Sequence, residues 1–467
     1  MILLTDLNWT ILEIIYLIII FAVGFGSTYL ILPYIIKFMK KKGYIGYDIH
    51  KNARPAIAES GGLSILIGFS ISSVFLMIFF PILFYEILIF LLTVVSAGII
   101  GFIDDRLKLR SRYKILLTIL TGGIIFIANY FNFINIQTPT IPFLGQLRIT
   151  FLYPLAVPLI VAVFANTVNM LEGYNGEGSG TCLIATFFLL VCGIIFNSAQ
   201  GVIFSIPVIA VLIPFFLFNK FPAKIFPGDI GTLSMGAMIA CIMLFGSLEV
   251  AAFSALLIHI FNSFYMISSV RGFSESSDIH STRADIILLE DDRIMASDKK
   301  NAALTLPRLI LVKGPLTESD LTKNFFAISI ICGFFSICMT LFMLFTNGTL
   351  DLSTIFLSLL IYFLIISIPS ALILYYFPRI RGVIALMVIL LSVGSIFLMF
   401  IDFAILPINI PDIDLGFIKI PWNIILSFLL VFPGFVVWYY VTIKYFWYQV
   451  KKMKRYGVQN NIEGNSN

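Results

Sequence analysis

Long apolar runs separated by short polar links dominate the pattern of hydrophobic and polar positions along this chain of 467 residues. Runs of about 18 or more apolar residues can cross a bilayer as helices, whereas a β-barrel would show alternating segments of roughly ten residues. The pattern predicts an all-α, polytopic membrane protein with about thirteen transmembrane helices. The predicted spans lie near residues 10–36, 62–80, 85–103, 115–131, 152–166, 180–196, 201–218, 230–247, 249–269, 325–346, 354–377, 381–404 and 423–447.

The amino-acid composition is that of a membrane protein. Hydrophobic residues make up 60% of the chain and charged residues only 12%, with a mean hydropathy of +1.02. Soluble globular proteins carry about 25% charged residues, so the composition excludes that class. The five cysteines lie inside apolar runs and form no CxxC pair, so we expect neither a disulfide nor a zinc site from them.

Basic residues are distributed unevenly between the two sets of predicted loops. If the loop after the first span faces the cytoplasm, all but two of the 30 Lys and Arg residues lie in cytoplasmic segments, the exceptions being Arg148 and Lys419. By the positive-inside rule, this asymmetry predicts an external N-terminus and a cytoplasmic C-terminus. We divide the chain into a transmembrane core at 1–346 with a cytoplasmic loop at 271–323, a three-helix extension at 347–450, and a cytoplasmic tail at 451–467.

The stretch from Gly101 to Lys114, GFIDDRLKLRSRYK, ends an apolar run in two adjacent carboxylates followed by five cations. Carboxylates bind hard divalent metals and cations bind phosphate, so Asp104, Asp105 and Lys114 are candidates for a metal-assisted phosphate site. An ordinary solvated loop whose cations obey the positive-inside rule explains the same residues equally well. This segment alone leaves both interpretations open.

Three other polar segments fall in loops predicted on the same side of the membrane. The first, after span one, carries Glu59 between a proline bend and a glycine pair. The second, after span five, combines Asn166, Asn169 and further Asn and Gly residues, and the third places Asp229 before span eight. Helix caps and turns explain such residues one at a time. Four such segments on one side predict a shared site on the cytoplasmic face.

The loop at 271–323 contains the sequence PRLILVKG, in which Arg308 and Lys313 are candidate phosphate contacts. The acidic run at 290–292 is typical of solvated ion pairs, and the three histidines show no ligand spacing. A transporter would place ionisable groups near the middle of interrupted helices and show repeat symmetry. The sequence shows neither feature.

The four polar segments resemble the motifs of the polyprenyl-phosphate N-acetylhexosamine-1-phosphate transferase family. The adjacent aspartates that are followed by basic residues up to Lys114 resemble one family motif, and Asn166–Gly176 resembles the family's Asn-rich loop. Phe226–Asp229 resembles its Phe-x-Gly-Asp motif. The motifs occur in the family's order and on the expected side, and the resemblance covers residues 10–346.

The resemblance implies that a polyprenyl (dolichyl) phosphate attacks the β-phosphate of UDP-GlcNAc, which yields GlcNAc-PP-lipid and UMP in the first membrane step of N-glycan-type assembly. It implies that Asn169 and Asp229 bind Mg²⁺, which neutralises charge on the phosphoryl oxygens. Either Asp104 or Asp105 would deprotonate or orient the lipid phosphate, and Lys114 would stabilise phosphate charge.

The same resemblance implies a set of substrate contacts. Phe226 and Gly173 would enclose the uracil, Asn175 would read its edge, and Arg308 would contact the pyrophosphate. The other residues expected to bind substrate are Glu59, Asn166 and Lys313.

Two details favour the eukaryotic and archaeal dolichol branch of the family. Asn175 stands where bacterial relatives usually carry Asp, and the segment IAESGG around Glu59 is similar to the dolichol branch. Two departures concern the sugar. The chain has Pro307-Arg308-Leu309-Ile310 where the eukaryotic branch has Pro-Arg-His-Arg, and Glu172 replaces a small residue. Another UDP-N-acetylhexosamine therefore stays open as the donor.

The expected partners are UDP-GlcNAc, a polyprenyl phosphate and the lipid bilayer, and no nucleic acid. A homodimer stays open. We expect an archaeal cell membrane with the site on the cytoplasmic side, or an endoplasmic reticulum membrane if the source is eukaryotic. A non-catalytic transporter or lipid-binding protein on the same scaffold is the alternative from a different class.

Overall fold

The computed structural model describes residues 9–142, 145–146, 152–270, 285–299, 302–346, 355–388, 413–414, 419–420, 437 and 440–451. Helices dominate these residues, which confirms an all-α polytopic membrane protein. The helices are α1 Ile11–Lys41, α2 Gly62–Phe79, α3 Phe84–Leu107, α4 Ser111–Tyr130, α5 Leu152–Leu171, α6 Glu177–Ile195, α7 Ala199–Asn219, α8 Gly228–Gly246, α9 Glu249–Ala255, α10 Leu257–Val270, α11 Leu306–Leu311, α12 Glu318–Thr346 and α13 Ile355–Tyr376. Residues 381–388 and 440–451 are also helical, and Pro81–Leu83 and Pro378–Ile380 form single 3-10 turns.

Nine helices of the described residues are long and apolar enough to cross a membrane, or eleven if each of two bent pairs counts as one span. The predicted ninth span is broken, because α9 and α10 meet at an angle of 67°. A second bend of 109° separates Ser367–Tyr376 from Pro378–Val388. Most of the predicted spans at 381–404 and 423–447, part of the loop at 271–323, and all but the first residue of the tail lie outside the described residues. The count of thirteen and the orientation stay predictions.

Four short antiparallel hairpins connect helices outside the bundle. They pair β1 Ile45–Tyr47 with β2 Ala56–Ala58, β3 Thr140–Ile141 with β4 Gly145–Gln146, β5 Ile286–Leu288 with β6 Ile294–Ala296, and β7 Ile413–Asp414 with β8 Lys419–Ile420. In the first hairpin Ile45 is opposite Ala58, and in the third Ile286 is opposite Ala296. The loop of the first hairpin lines the cavity described below, and the turn of the third hairpin contacts that loop.

Helix α8 is the centre of the bundle. Every residue from Ile230 to Gly246 is buried, and the helix packs against α2, α3, α5, α6 and α7. A helix that is apolar on all sides is expected where neighbours cover it completely. The first turn of α8 carries Asp229, so this carboxylate is held at the end of a helix that its neighbours enclose.

Two glycines allow α8 to approach its neighbours closely. A Cβ atom on Gly101 of α3 would lie 2.3 Å from the carbonyl oxygen of Asp229, and one on Gly62 of α2 would lie 2.2 Å from the Cα atom of Gly231. Any side chain at either position would push the helices apart. The close crossing at Gly101 brings the last turn of α3, with its two aspartates, next to the first turn of α8.

A second hydrophobic cluster lies beside this bundle. It joins α11 and the first half of α12 to Ile380, Met387, Phe446 and Val450. The helical parts of the C-terminal segment that the structure describes are therefore packed onto the segment that contains Arg308.

Candidate active site

A cavity of about 580 Å³ lies where α3 and α4 meet the ends of α5 and α8 and the loop before α2. Its wall brings together residues from all four polar segments. The predicted site residues that line it are Glu59, Asp104, Lys114, Asn169, Gly173, Asn175, Phe226 and Asp229.

Three oxygen atoms from three helices converge on the ammonium group of Lys114. Its Nζ lies 2.5 Å from Oδ2 of Asp104, 2.5 Å from Oδ2 of Asp229 and 3.1 Å from Oδ1 of Asn169. Asn169 also donates through Nδ2 to Oδ1 of Asp229 (2.7 Å) and to the hydroxyl of Thr232 (2.8 Å). These two bonds orient the amide with its oxygen toward the cation.

The same oxygen atoms fit a hard divalent cation. Two carboxylates and an amide oxygen are ligands that Mg²⁺ prefers, and here they already surround one positive charge. Because a third carboxylate, that of Asp105, lies next to Asp229, the centre retains negative charge after Lys114 is counted. The residues present can therefore hold a divalent metal beside the Lys114 ammonium.

Asp105 has a different environment from Asp104. Its Oδ1 accepts the backbone N–H of Asp229 (2.7 Å), and its Oδ2 accepts the hydroxyl of Ser60 (2.8 Å). Arg106 donates to the same Ser60 oxygen (2.9 Å) while its guanidinium lies 3.3 Å from the ring centre of Tyr44. Asp105 is not among the residues that line the cavity, so it positions the first turn of α8.

The local sequence explains how Asp104 and Lys114 meet. Helix α3 ends at Leu107, and the next residue, Lys108, adopts a left-handed conformation with φ 51°. Oδ1 of Asp104 accepts the N–H of Leu109 (2.7 Å). The chain turns sharply and α4 begins at Ser111. Lys114, in the first turn of α4, therefore faces back toward the end of α3.

A second part of the wall suits a flat, hydrogen-bonding ligand. Phe226 is fixed by backbone bonds with Ala58 and Gly61, both 2.8 Å long. Gly173 exposes backbone to the cavity, and the amide of Asn175 lies beside it. An aromatic ring, bare backbone and one amide are common features of pockets that bind planar groups.

Three residues predicted to contact substrate, Asn166, Lys313 and Arg308, lie away from the cavity. Asn166 donates to Thr118 Oγ1 and to the carbonyl of Ala162, both at 2.8 Å, so it joins α5 to α4. Lys313 donates to the carbonyl of Pro378 (3.2 Å). The structure therefore does not support direct substrate contact by either side chain, because each is directed toward another part of the fold.

The expectation that Arg308 contacts phosphate is also corrected. Its guanidinium makes five hydrogen bonds to the carbonyl oxygens of Ser297, Lys299, Ala302 and Ala303. The ring of Phe446 covers it, with 4.6 Å between the guanidinium carbon and the ring centre. Since the side chain is buried and all its N–H groups are used, Arg308 stabilises its own loop.

Several residues of the cavity were missed by the sequence interpretation. Asp48 and His50 line it, and the His50 ring stacks on Tyr174 with 4.3 Å between ring centres. Burial lowers the pKa of His50 to about 4, against the raising effect of Asp48, so its imidazole is neutral at pH 7. The polar sequence DIHK after the first span was the available signal, but nothing in it indicated which loop it would meet.

Glu172 also lines the cavity, next to Gly173. Its Oε2 accepts the N–H of Gly178 (2.6 Å), and burial raises the pKa of the carboxyl to about 8, although that hydrogen bond lowers it. At neutral pH the group is mostly protonated. It adds a polar, largely uncharged group to the wall.

The fold and the site together define a class of protein. It is a multispanning membrane protein whose pocket holds carboxylates, an amide and a lysine suited to binding phosphate and metal. The sequence profile of glycosyl transferase family 4 matches residues 87–247, the range that contains Asp104, Asn169 and Asp229. The chain is 30% identical over 326 residues to a protein of Methanocaldococcus jannaschii that is provisionally named a glycosyltransferase, covering 67% of this chain and 96% of that protein. The chain belongs to glycosyl transferase family 4.

Two other relatives have more specific names. A Sulfolobus acidocaldarius protein, provisionally named a UDP-N-acetylglucosamine–dolichyl-phosphate N-acetylglucosaminephosphotransferase, is 32% identical over 238 residues, covering 50% of this chain and 71% of that protein. A phospho-N-acetylmuramoyl-pentapeptide-transferase of Latilactobacillus sakei is 30% identical over 233 residues, covering 46% and 72%. The predicted family and its archaeal branch are thereby confirmed.

Proposed function

We propose that this protein transfers GlcNAc-1-phosphate from UDP-GlcNAc to a polyprenyl (dolichyl) phosphate, with release of UMP, on the cytoplasmic side of an archaeal cell membrane. The observation that carries the proposal is the convergence of Asp104, Asn169 and Asp229 on Lys114 inside one cavity. The names of the archaeal relatives support the choice of sugar and lipid.

In this proposal the nucleotide lies along the cavity. The uracil occupies the space beside Phe226, Gly173 and Asn175, and the Glu59 carboxylate accepts a hydrogen bond from a ribose hydroxyl. The diphosphate then reaches the Asp229 and Lys114 centre. A cavity of about 580 Å³ falls within the range of roughly 300–1,000 Å³ typical of small-molecule sites.

The reaction forms one P–O bond and breaks another. An oxygen of the lipid phosphate attacks the β-phosphorus of UDP-GlcNAc, and UMP leaves with the oxygen that bridged the two phosphorus atoms. Asp104 faces the cavity and accepts the proton of a protonated lipid phosphate, which strengthens the nucleophile. We do not assign this role to Asp105, because it does not line the cavity.

Lys114 holds positive charge where the transferred phosphoryl group gains negative charge. Asn169 and Asp229 would hold Mg²⁺, which supplies Lewis-acid neutralisation of the phosphoryl oxygens when bound. Lys114 also keeps Asp104 and Asp229 from repelling one another, since it lies between them.

Two observations favour a different donor, another UDP-N-acetylhexosamine. Arg308, the remaining member of the loop motif linked to sugar recognition in the eukaryotic branch, is directed into its own loop and away from the cavity. Glu172 adds a polar group to the wall that the eukaryotic branch does not carry. Both differences are consistent with a changed sugar subsite.

The test is a reaction of the purified protein in nanodiscs with radiolabelled UDP-sugars, Mg²⁺ and dolichyl phosphate. We expect UMP release and a labelled lipid product with UDP-GlcNAc, and loss of both after addition of EDTA. Asp229→Ala should reduce turnover at least about 100-fold, because it removes a metal ligand and a partner of Lys114.

The matched control is Asp291→Ala. It removes an exposed aspartate that pairs with Arg293 and does not line the cavity. This variant should keep full activity. If no member of a panel of UDP-sugars gives a lipid product, the result would instead support a non-catalytic membrane protein. If only a UDP-sugar other than UDP-GlcNAc gives product, that sugar would replace UDP-GlcNAc as the proposed donor.

A further inference from the structure

Glu318, at the start of α12, joins three segments at the Asn175 end of the cavity. Its Oε1 accepts the backbone N–H of Asn175 (2.8 Å), and its Oε2 lies 3.5 Å from the side-chain nitrogen of the same residue. The Oε2 atom also lies 3.8 Å from Nζ of Lys51. Glu318 is buried but does not line the cavity, so any effect on a ligand passes through its neighbours.

The loop between β1 and β2 completes this arrangement. Oδ2 of Asp48 accepts from Nδ2 of Asn175 (3.1 Å) and forms a short ion pair with Lys51. Asn52 then fixes the loop from outside through bonds of 2.8 and 2.7 Å to Asp292 in the β5–β6 turn. Three segments far apart in the sequence therefore hold one amide.

A metal ion is not needed to explain these acidic groups. Ligand atoms of Asp48, His50 and Glu318 do lie within 4.8 Å of one another. Lys51, however, already contacts both carboxylates, and Asn175 donates to both. The two carboxylates are thus compensated by the protein itself, and their shared partner is the amide of Asn175.

Two carboxylates near one amide determine which way the amide points. The NH₂ group of Asn175 faces the oxygens of Asp48 and Glu318, whereas the opposite orientation would place its oxygen against two negative charges. The carbonyl oxygen of Asn175 is therefore the side-chain atom that is available to a ligand in the cavity. This end of the cavity presents a hydrogen-bond acceptor.

An acceptor at this place distinguishes between pyrimidines. The N3 atom of uracil carries a hydrogen and donates, whereas N3 of cytosine carries a lone pair and accepts. A fixed carbonyl oxygen therefore pairs with uracil N3–H and repels cytosine N3. Leaving one buried polar group unpaired costs about 1–3 kcal/mol, which corresponds to roughly a 5- to 150-fold difference in affinity.

We propose that Glu318 is a positioning residue that, together with Asp48, fixes the orientation of the Asn175 amide and so makes the site select uridine over cytidine nucleotides. This inference rests on the proposed function, because it places the pyrimidine of the donor at Asn175. It extends that proposal to a residue outside the cavity and to a choice between two bases.

The experiment measures the affinity of the full chain in nanodiscs for UMP and for CMP by calorimetry, for the native protein and for Glu318→Gln. The native protein should prefer UMP by at least about tenfold. In Glu318→Gln the new amide can donate as well as accept, so Asn175 can rotate. UMP should then bind about tenfold more weakly and the preference should shrink, with CMP affinity unchanged or higher.

The matched control is Asp320→Asn, two residues further along the same helix, where the exposed carboxylate pairs with Lys323. Its affinities should equal those of the native protein. Asp48→Asn provides a second variant, in case Glu318→Gln lowers the yield of folded protein. It should reduce the preference for UMP over CMP in the same way.

The possible outcomes separate the two proposals. Native UMP selectivity that persists in both folded variants would overturn the positioning role and leave the proposed function intact. Absence of UMP binding by the native protein would contradict the proposed function itself. Equal losses of UMP and CMP affinity would show a general structural role for Glu318 and would also overturn the inference.

Discussion

At the residue scale, the two adjacent carboxylates at the end of α3 have separate tasks. Asp104 shares Lys114 with Asp229 at the cavity, whereas both oxygens of Asp105 bind the backbone of Asp229 and the hydroxyl of Ser60. The difference follows from helix geometry, since consecutive positions on a helix face different directions.

We predict that Asp104→Asn lowers kcat by about 100- to 10,000-fold, the usual contribution of a general base, while UMP affinity stays within a few-fold. Asp105→Asn should instead lower the melting temperature, because the lost carboxylate accepts two hydrogen bonds worth together a few kcal/mol. Steady-state kinetics, calorimetry with UMP and thermal unfolding of both variants check this. An active Asp104→Asn enzyme would contradict the assignment.

The carboxyl of Glu172 makes the stability of the folded protein depend on pH. Its pKa is raised from 4.5 to about 8, so the folded state holds this proton more tightly than the unfolded state. The resulting stabilisation is fully present below about pH 4.5 and is lost as pH rises through about 8.

We predict that Glu172→Gln removes this pH-dependent contribution to stability, because the amide is uncharged and still offers an acceptor to the N–H of Gly178. The melting temperature of the native protein should fall relative to that of the variant between pH 6 and pH 9. Thermal unfolding of both proteins across this range measures the difference. Parallel curves would show that Glu172 is already ionised at pH 6.

At the element scale, the site depends on the crossing of α3 and α8. Gly101 faces the backbone of Asp229 at this crossing, and the aspartates of α3 follow within one turn. The spacing of these two helices therefore sets how far the Asp104 carboxylate lies from that of Asp229.

We predict that Gly101→Ala reduces both stability and turnover, because the new Cβ atom would lie 2.3 Å from the Asp229 carbonyl oxygen. The matched control is Gly123→Ala on α4, where a Cβ atom would meet nothing within 4 Å. That variant should keep its activity and match or slightly exceed native stability, since Ala is favoured over Gly in a helix by roughly 0.5–1 kcal/mol. Normal turnover in Gly101→Ala would show that the crossing tolerates displacement.

At the scale of the whole molecule, Arg308 joins the C-terminal part of the chain to the loop around β6. Its guanidinium bonds four backbone carbonyls on one side and meets Phe446 on the other. Phe446 and Val450 pack into the same cluster as α11 and α12. The sequence motif is retained, but here it stabilises tertiary structure.

We predict that Arg308→Met lowers the free energy of unfolding by several kcal/mol, at about 1–3 kcal/mol for each buried carbonyl left unpaired. The KM for UDP-sugar should change little in the protein that remains folded. Lys313→Met, which removes an exposed lysine side chain that donates to the carbonyl of Pro378, serves as the control and should behave as native. A raised KM with unchanged stability would restore the phosphate role for Arg308.

The sequence by itself determined that this is a helical membrane protein with a polar site in its loops. Hydropathy is a property of about 20 neighbouring residues, so α1 to α8 could be predicted from local runs. The residues that share the cavity, such as Asp104, Asn169 and Asp229, were also recognisable, because charged and amide groups beside apolar spans are costly unless they have a use.

Only the tertiary structure decided the direction of each side chain. It separated Asp104 from Asp105, turned Arg308 into its own loop and brought Glu318 to Asn175, which is 143 positions away. Such contacts depend on how closely helices cross, as at Gly101, and on which buried carbonyl or amide needs a partner. No local pattern encodes these distances, because each is set by the packing of the whole bundle.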